Sequence, residues 1–419
     1  MQGRYIVTGG HPLAGEVMLQ GAKNAVLPIL AASLLCRRCQ LLGCPDLTDV
    51  DSACHILEYL GCRTRREGDV LTTEFNGSGK SEIPAPLMEE MRSSIIFLSV
   101  MIARYHQAVI SMPGGCQLGP RPIDYHLAAL EKMGVQVRRD QGKLYCRCEG
   151  RLTGAQIALP FPSVGATETV LLAAVTARGE TVLTNAAREP EIADLIGFLR
   201  RCGAKIRLCA GGDIAVEGVD RLEGCIYPVM ADRIVLSTYL SLLAAAGGEI
   251  CIRRGSREHN KAFCHLCETM GMRLWESGGD LYARVAGRLK SPGKVRTMPY
   301  PGFPTDSQPM FLAACTLAEG TSVFTETIFE NRFGAAYELG KMGARINIAD
   351  RIAIVEGVPA LTAARLRCPD LRGGASLVVA AAAAEGSSTI EEIHHILRGY
   401  ENFAPNLRGL GVDIIEERG

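Results

Sequence analysis

Internal repetition constrains this chain more than any other feature. Six times, a helical stretch ends in a short Gly-centred turn that leads into a strand-like segment: LGCRT at Gly61, MGVQV at Gly134, CGAKI at Gly203, MGMRL at Gly271, MGARI at Gly343 and LGVDI at Gly411. The turns recur about every seventy residues, longer than common solenoid periods, so each repeat can be a small subdomain with strands and helices of its own.

The first helix of a repeat is apolar on nearly every side, as in AVLPILAASLL, ETVLLAAVTA, PMFLAACTLA and SLVVAAAAA. A helix without a polar face has to be buried all round. The second helices, such as EIADLIGFLRRCG and AAYELGKMG, keep a polar side. Each repeat therefore places one helix inside, with sheet and amphipathic helix outside. Six such units divide into two lobes of three, with the main crossing expected near Pro228 to Asp232. The lobes are then residues 22–229, and residues 1–21 together with 230–419.

Charge composition limits the partners. Lys+Arg and Asp+Glu balance at 45 each, so no bulk field favours nucleic acid or a membrane surface, and any anion site must be a local arrangement. The longest apolar runs, Ile29 to Cys36 and Ser376 to Ala384, are too short to span a bilayer. The start MQGRYIVTGG lacks a charged segment followed by an apolar one, and a cytoplasmic location is expected. Sixteen cysteines include two CxxC pairs, Cys36/Cys39 and Cys264/Cys267, for which a zinc site is conceivable. One pair follows an apolar helical run and the other lies within a helical pattern. Reduced thiols acting as small hydrophobes are the favoured reading, and no metal is expected.

The informative charges stand at helix starts. Before the apolar helices come GAKN (Lys23, Asn24), MRSS (Arg92), SVGAT (Ser163, Gly165), ADR (Asp232, Arg233), FPTD (Asp306) and DLR (Asp370, Arg372). Five of the six second helices have an arginine near the start: Arg121, Arg188, Arg257, Arg332 and Arg398. A cation there opposes the helix dipole by about 0.3–1 kcal/mol. A single arginine is as readily explained by a local carboxylate such as Glu189, Glu258 or Glu330. The repeated choice favours an anionic ligand held between the lobes.

Met112 to Asp124, MPGGCQLGPRPID, is the sharpest local signal. Its glycines allow close backbone approach to a ligand, and Cys116 sits among them as an exposed rather than a core thiol. Arg121 could attract an anion or lower the thiol pKa, while Pro120 and Pro122 stiffen the exit toward Asp124.

Together, GAKNAVLPILAASLL, PGGCQLGPRPID, PSVGATET, NAAREPEI, YPGFPTD, TETIFENRF and HILRGY resemble the UDP-N-acetylglucosamine 1-carboxyvinyltransferase family of enolpyruvyl transferases along nearly the whole chain. The resemblance implies an inside-out, barrel-like α/β fold of two lobes, each of three βαβαββ units. It also places residues 1 to about 21 as a strand of the second lobe. It implies transfer of the enolpyruvyl group of phosphoenolpyruvate to the 3′-hydroxyl of UDP-N-acetylglucosamine, the first committed step of peptidoglycan synthesis. No metal, organic cofactor, nucleic acid, membrane or obligate protein partner is implied. By resemblance, Cys116 is the general acid or transient nucleophile over the enolpyruvate carbons and the thiol that fosfomycin alkylates. Asp306 is the base at the sugar hydroxyl. Lys23, Arg121 and Arg398 hold the phosphate, and Arg332 and Arg372 the carboxylate side. Asn24, Arg92, Pro122, Asp124, Ser163, Val164, Gly165 and Ile328 fall where the family contacts substrate or shapes the pocket.

Five positions depart from the family pattern. Val235 replaces a carboxylate, Ser307 and Pro309 follow the proposed base, Gly334 begins a stretch lacking the usual Met-His, and Leu397 replaces an aspartate before Arg398. These changes spare the proposed catalytic residues and alter the groups around them, as a divergent paralogue would. The shikimate-pathway enolpyruvyl transferase is the nearest enzymatic alternative, though GAKN and PGGC point away from it. A noncatalytic nucleotide-sugar sensor is the alternative from another class.

Overall fold

A computed structural model describes residues 3–77, 79–111 and 123–417. The described residues form two compact units, one built from residues 3–20 and 231–417, the other from 21–111 and 123–230.

Each repeat yields one four-stranded sheet with a constant plan. In the third repeat the short strand Gln156–Ala158 lies parallel to Glu180–Thr184, which pairs antiparallel with Ile214–Glu217, itself antiparallel to Lys205–Leu208. The apolar helix Val164–Ala174 connects the two parallel strands, and Pro190–Arg201 follows the second. The result is the βαβαββ unit expected from the sequence. Parallel neighbours need a crossover, and the apolar helix supplies it. The six turn glycines end the outer helical segments with positive φ, from 88° at Gly411 to 109° at Gly271, where a β-carbon would be strained.

Three strand exchanges close the units. Ile226–Pro228, after the third repeat, pairs with Arg38–Leu42 of the first. Leu13–Met18 supplies the parallel edge beside Gly248–Arg253. Arg4–Thr8 inserts between Ser387–Glu391 and Asp413–Glu417. The N-terminal segment thus contributes two strands to two different sheets of its unit, where a single strand was expected.

The inner helices are buried as their composition requires. Every residue from Ala25 to Ser33 of Lys23–Ser33 is buried, as are Ala166 to Ala174 and Arg372 to Ala382 of the corresponding helices. Each unit has its own apolar core around these helices. Among the described residues no helix is long and apolar enough to cross a membrane.

Candidate active site

In the unit containing residues 231–417, the charged groups gather around Asp306. Asp306 lies in the 3-10 turn Thr305–Ser307 that leads into the helix Gln308–Cys315. One carboxylate oxygen accepts from Arg332 Nη2 at 2.8 Å, and the other lies 3.6 Å from Arg372 Nη2. Both arginine side chains are almost wholly buried, at 2% and 3% exposure, which makes the pairing obligatory rather than a surface accident. Arg332 Nε also donates to the Thr305 carbonyl at 3.1 Å. Arg372 Nε and Nη1 are buried without a hydrogen-bond partner of ordinary geometry among the described residues, the guanidinium lying 5.5 Å from the centre of the Tyr400 ring. Asp232 also acts electrostatically on Arg372, so two guanidinium groups and two carboxylates share one cluster. Unpaired buried donors are costly, and an anionic ligand would satisfy them.

Glu326, missed by the sequence reading, frames this cluster. It is 2% exposed and accepts from Thr305 Oγ1 at 3.0 Å and from the backbone N–H groups of Ile328 and Phe329 at 2.8 and 3.1 Å. Its only sequence signal was a carboxylate ending a strand in TETIF. Arg372 occupies the first turn of Leu371–Ala383, capped by Asp370, which accepts from the backbone N–H groups of Arg372 and Gly373. Asp232 caps Arg233–Ala246 in the same way. Arg398 follows the short helix His394–Leu397 and is half-buried.

The other arginines resolve individually. Arg257 donates to both oxygens of Glu268 at 2.7 and 2.8 Å, and Arg188 donates to the Gly211 carbonyl at 2.7 Å. Arg257 thus pairs with a carboxylate, as the simpler reading of a lone arginine had it, though with Glu268 rather than Glu258. Glu330 pairs with Arg351 rather than Arg332. Ser307 and Val235, two of the departures, are buried, and the Ser307 hydroxyl sits 2.7 Å from that of Ser237.

In the unit containing residues 21–230 the candidates are arranged differently. Lys23 opens the helix Lys23–Ser33, which has no side-chain cap, and its ammonium lies 3.1 Å from Asp49. Asp49 is 3% exposed in its side chain and stands in the first turn of Thr48–Tyr59, where a carboxylate suits the helix dipole. Asn24, beside Lys23, is half-buried. Ser163 caps Val164–Ala174 by accepting from the Ala166 backbone N–H at 3.3 Å, and Val164 and Gly165 begin that helix. A β-carbon on Gly165 would come within 2.7 Å of His126 Nε2, so glycine lets the ring lie against the helix start. Burial pulls the His126 pKa down to about 4, Asp124 opposing weakly, and the ring is neutral at physiological pH. Asp124 opens Asp124–Lys132 on the surface, 3.3 Å from Arg139. Glu168, buried on the inner helix between Thr167 and Thr169, is pushed up to about 8 by burial and then by Glu191 and Glu189. Arg92 starts the 3-10 segment Arg92–Ile96, and its side chain lies outside the described residues. Cys116, Arg121 and Pro122 lie outside them too.

Comparison with known proteins decides the family. The EPSP synthase (3-phosphoshikimate 1-carboxyvinyltransferase) family matches residues 7–407. The UDP-N-acetylglucosamine 1-carboxyvinyltransferase 2 of Caldanaerobacter subterraneus subsp. tengcongensis is 44% identical over 417 residues, covering 99% of each chain. UDP-N-acetylglucosamine 1-carboxyvinyltransferase 1 of Symbiobacterium thermophilum is also 44% identical, over 98% of this chain and 94% of its own. The chain belongs to the UDP-N-acetylglucosamine 1-carboxyvinyltransferases. The solved enolpyruvyl transferase NikO from Streptomyces tendae superposes on this carboxyvinyltransferase with a TM-score of 0.91 at 24% identity, covering 100% of this chain and 99% of its own. EPSP synthase from Acinetobacter baumannii gives 0.75 at 18%, covering 99% and 100%. At those identities the two structures establish the enolpyruvyl transferase fold alone.

Proposed function

We propose that the chain transfers the enolpyruvyl group of phosphoenolpyruvate to the 3′-hydroxyl of UDP-N-acetylglucosamine, releasing phosphate, as the first committed step of peptidoglycan synthesis in the cytoplasm. The observation that carries this reading is 44% identity over the full length to transferases of that name. The Asp306 cluster supports it chemically.

In the proposed mechanism Asp306 takes the proton from the sugar hydroxyl as its oxygen bonds to C2 of phosphoenolpyruvate. Cys116 delivers a proton to C3, so the double bond opens without a free carbanion. Loss of a proton from C3 and of phosphate from C2 then restores the double bond on the new ether. Acid and base groups of this kind typically contribute about 10²–10⁴-fold each. Arg372 and Arg332 are assigned to the donor carboxylate, and Lys23, Arg121 and Arg398 to the phosphate. Fixed cations of this kind stabilise the charge that develops in the tetrahedral intermediate. Asn24, Arg92, Pro122, Asp124, Ser163, Val164, Gly165 and Ile328 are assigned to substrate contact or pocket shape. The substrate-side and donor-side roles of all these residues rest on the motif match, and for Asp306, Arg332 and Arg372 also on their convergence.

The test is phosphate release from phosphoenolpyruvate with each of two acceptors. Release that depends on UDP-N-acetylglucosamine is expected. Release with shikimate 3-phosphate instead would overturn the acceptor assignment, and silence with both would point to a noncatalytic binder.

A further inference from the structure

The CxxC pair Cys36/Cys39 does not simply pack into the core. Cys36 follows the inner helix Lys23–Ser33, and Cys39 lies in the strand Arg38–Leu42. Cys202, the C-cap of Pro190–Arg201, comes from about 160 residues further along the chain, yet the sulfurs of Cys36, Cys39 and Cys202 all lie within 4.8 Å of one another. Cys225, just before Ile226–Pro228, places its sulfur 3.4 Å from that of Cys202. Its carbonyl accepts from the Gln40 backbone N–H at 2.9 Å, which fixes it beside the Cys39 strand. Cys202 and Cys225 are braced in turn by the Glu223 N–H, which donates to the Cys202 carbonyl at 3.0 Å.

Core packing does not ask for this arrangement. The second CxxC pair, Cys264 and Cys267, shows what packing alone looks like: both are buried on one helix and belong to no such cluster among the described residues. A tetrahedral Zn–S₄ centre with bonds of about 2.3 Å has sulfur–sulfur edges of roughly 3.8 Å; the Cys36, Cys39 and Cys202 sulfurs, each within 4.8 Å of the others, supply three corners, and Cys225, in contact with Cys202 but outside that mutually close trio, would turn inward as the fourth. A four-iron cluster would need its thiolates farther apart. Soft thiolate donors in a tetrahedral set select zinc over harder cations.

An independent observation points to the same ligand. Thr73 is the cross-strand partner of Cys39, is 1% exposed, and its hydroxyl has no hydrogen-bond partner of ordinary geometry. Against a neutral thiol that donor is orphaned. Against a metal-bound thiolate it becomes the outer hydrogen bond that thiolate ligands require.

We propose that Cys36, Cys39, Cys202 and Cys225 form a structural zinc site that staples the first repeat of this unit to the third. The four ligands flank the exchange of Ile226–Pro228 into the sheet of Arg38–Leu42, so the ion would lock the closure of the unit. No electron transfer is involved: zinc binding releases the thiol protons to solvent and changes no oxidation state.

The full-length chain, purified with reductant and without chelator, should carry one zinc per chain by elemental analysis. After zinc removal, one equivalent of cobalt(II) should produce the intense visible spectrum of a tetrahedral four-thiolate site, which zinc itself lacks. Cys225→Ser, at a half-buried position, should keep the fold and shift that spectrum to three sulfurs. Thr73→Val should weaken zinc binding roughly 10-fold or more. Cys264→Ser should leave metal content unchanged. A metal-free purified chain that takes up no cobalt would overturn the proposal. So would a Cys202–Cys225 disulfide found by mass spectrometry under the same conditions, or a spectrum indifferent to Cys225→Ser. None of these readouts depends on transferase activity.

Discussion

The two units start from the same repeat and treat their inner helices differently. In one, Arg233–Ala246, Gln308–Cys315 and Leu371–Ala383 each pack extensively against the other two. In the other, Lys23–Ser33 leans mainly on the outer helices Thr48–Tyr59 and Pro190–Arg201, while Phe97–Tyr105 and Val164–Ala174 pair with each other. The three-way bundle draws its helix starts together, so that Asp232, Asp306 and Arg372 sense one another electrostatically. Among the described residues of the looser bundle, Lys23 pairs with Asp49, and Ser163 caps the helix whose Gly165 lies against His126. Among the described residues, the same local architecture thus yields a concentrated charge cluster in one unit and separate polar pairs in the other.

That contrast can be broken most directly at Asp306. Asp306→Asn keeps the shape of the side chain and removes its charge. It is expected to cut kcat by about 10²–10⁴-fold with little change in far-UV dichroism, and a variant as active as the parent would remove Asp306 from the chemistry.

The dispersed unit should answer in stability. Asp49→Ala leaves Lys23 without its buried counter-charge and should cost about 3 kcal/mol in denaturant unfolding. The double variant Lys23→Met, Asp49→Ala should recover most of it. Equal losses in the single and double variants would mean that the ion pair is incidental.

Two buried titratable groups in the same unit sharpen the comparison through pH. The folded-state pKa of His126 lies below its unfolded value, so stability falls as pH drops from 6.5 toward 4, by up to about 3 kcal/mol. His126→Leu should flatten that limb of the pH–stability curve. Glu168 has the opposite sign: its folded-state pKa of about 8 exceeds the unfolded value of 4.5, so its contribution is lost as pH rises between them. Glu168→Gln should therefore raise the melting temperature most at pH 8 and least at pH 4. An equal change at both would assign it no titration.

The smallest effect belongs to the caps. Ser163→Ala should destabilise by about 1 kcal/mol, and Asp370→Ala, whose carboxylate accepts from two backbone N–H groups, by somewhat more. A Ser163 loss larger than that at Asp370 would reverse the ranking of the two units.

Much of this was legible in the residues. The apolar helices, the turn glycines and the Asp-Leu-Arg and Ala-Asp-Arg helix starts announced themselves because each depends on neighbours a few positions away. FPTD and GAKN marked Asp306 and Lys23 for the same reason. Their partners were not legible. Arg332 was expected to have Glu330 close by and instead reaches Asp306, while Lys23 meets Asp49, which no motif singled out. The N-terminal segment was read as one strand and supplies two, because Gly9 and Gly10 break it and each half completes a different sheet.

The sequence by itself determined the repeat, the buried character of six helices and the family, since periodicity and motif are properties of short stretches. Only the tertiary structure decided which repeats exchange strands, which carboxylate each arginine holds, and that Cys36 and Cys39 meet Cys202 and Cys225. Those contacts join residues tens to hundreds of positions apart. Their energies depend on distance in space, which no local pattern encodes.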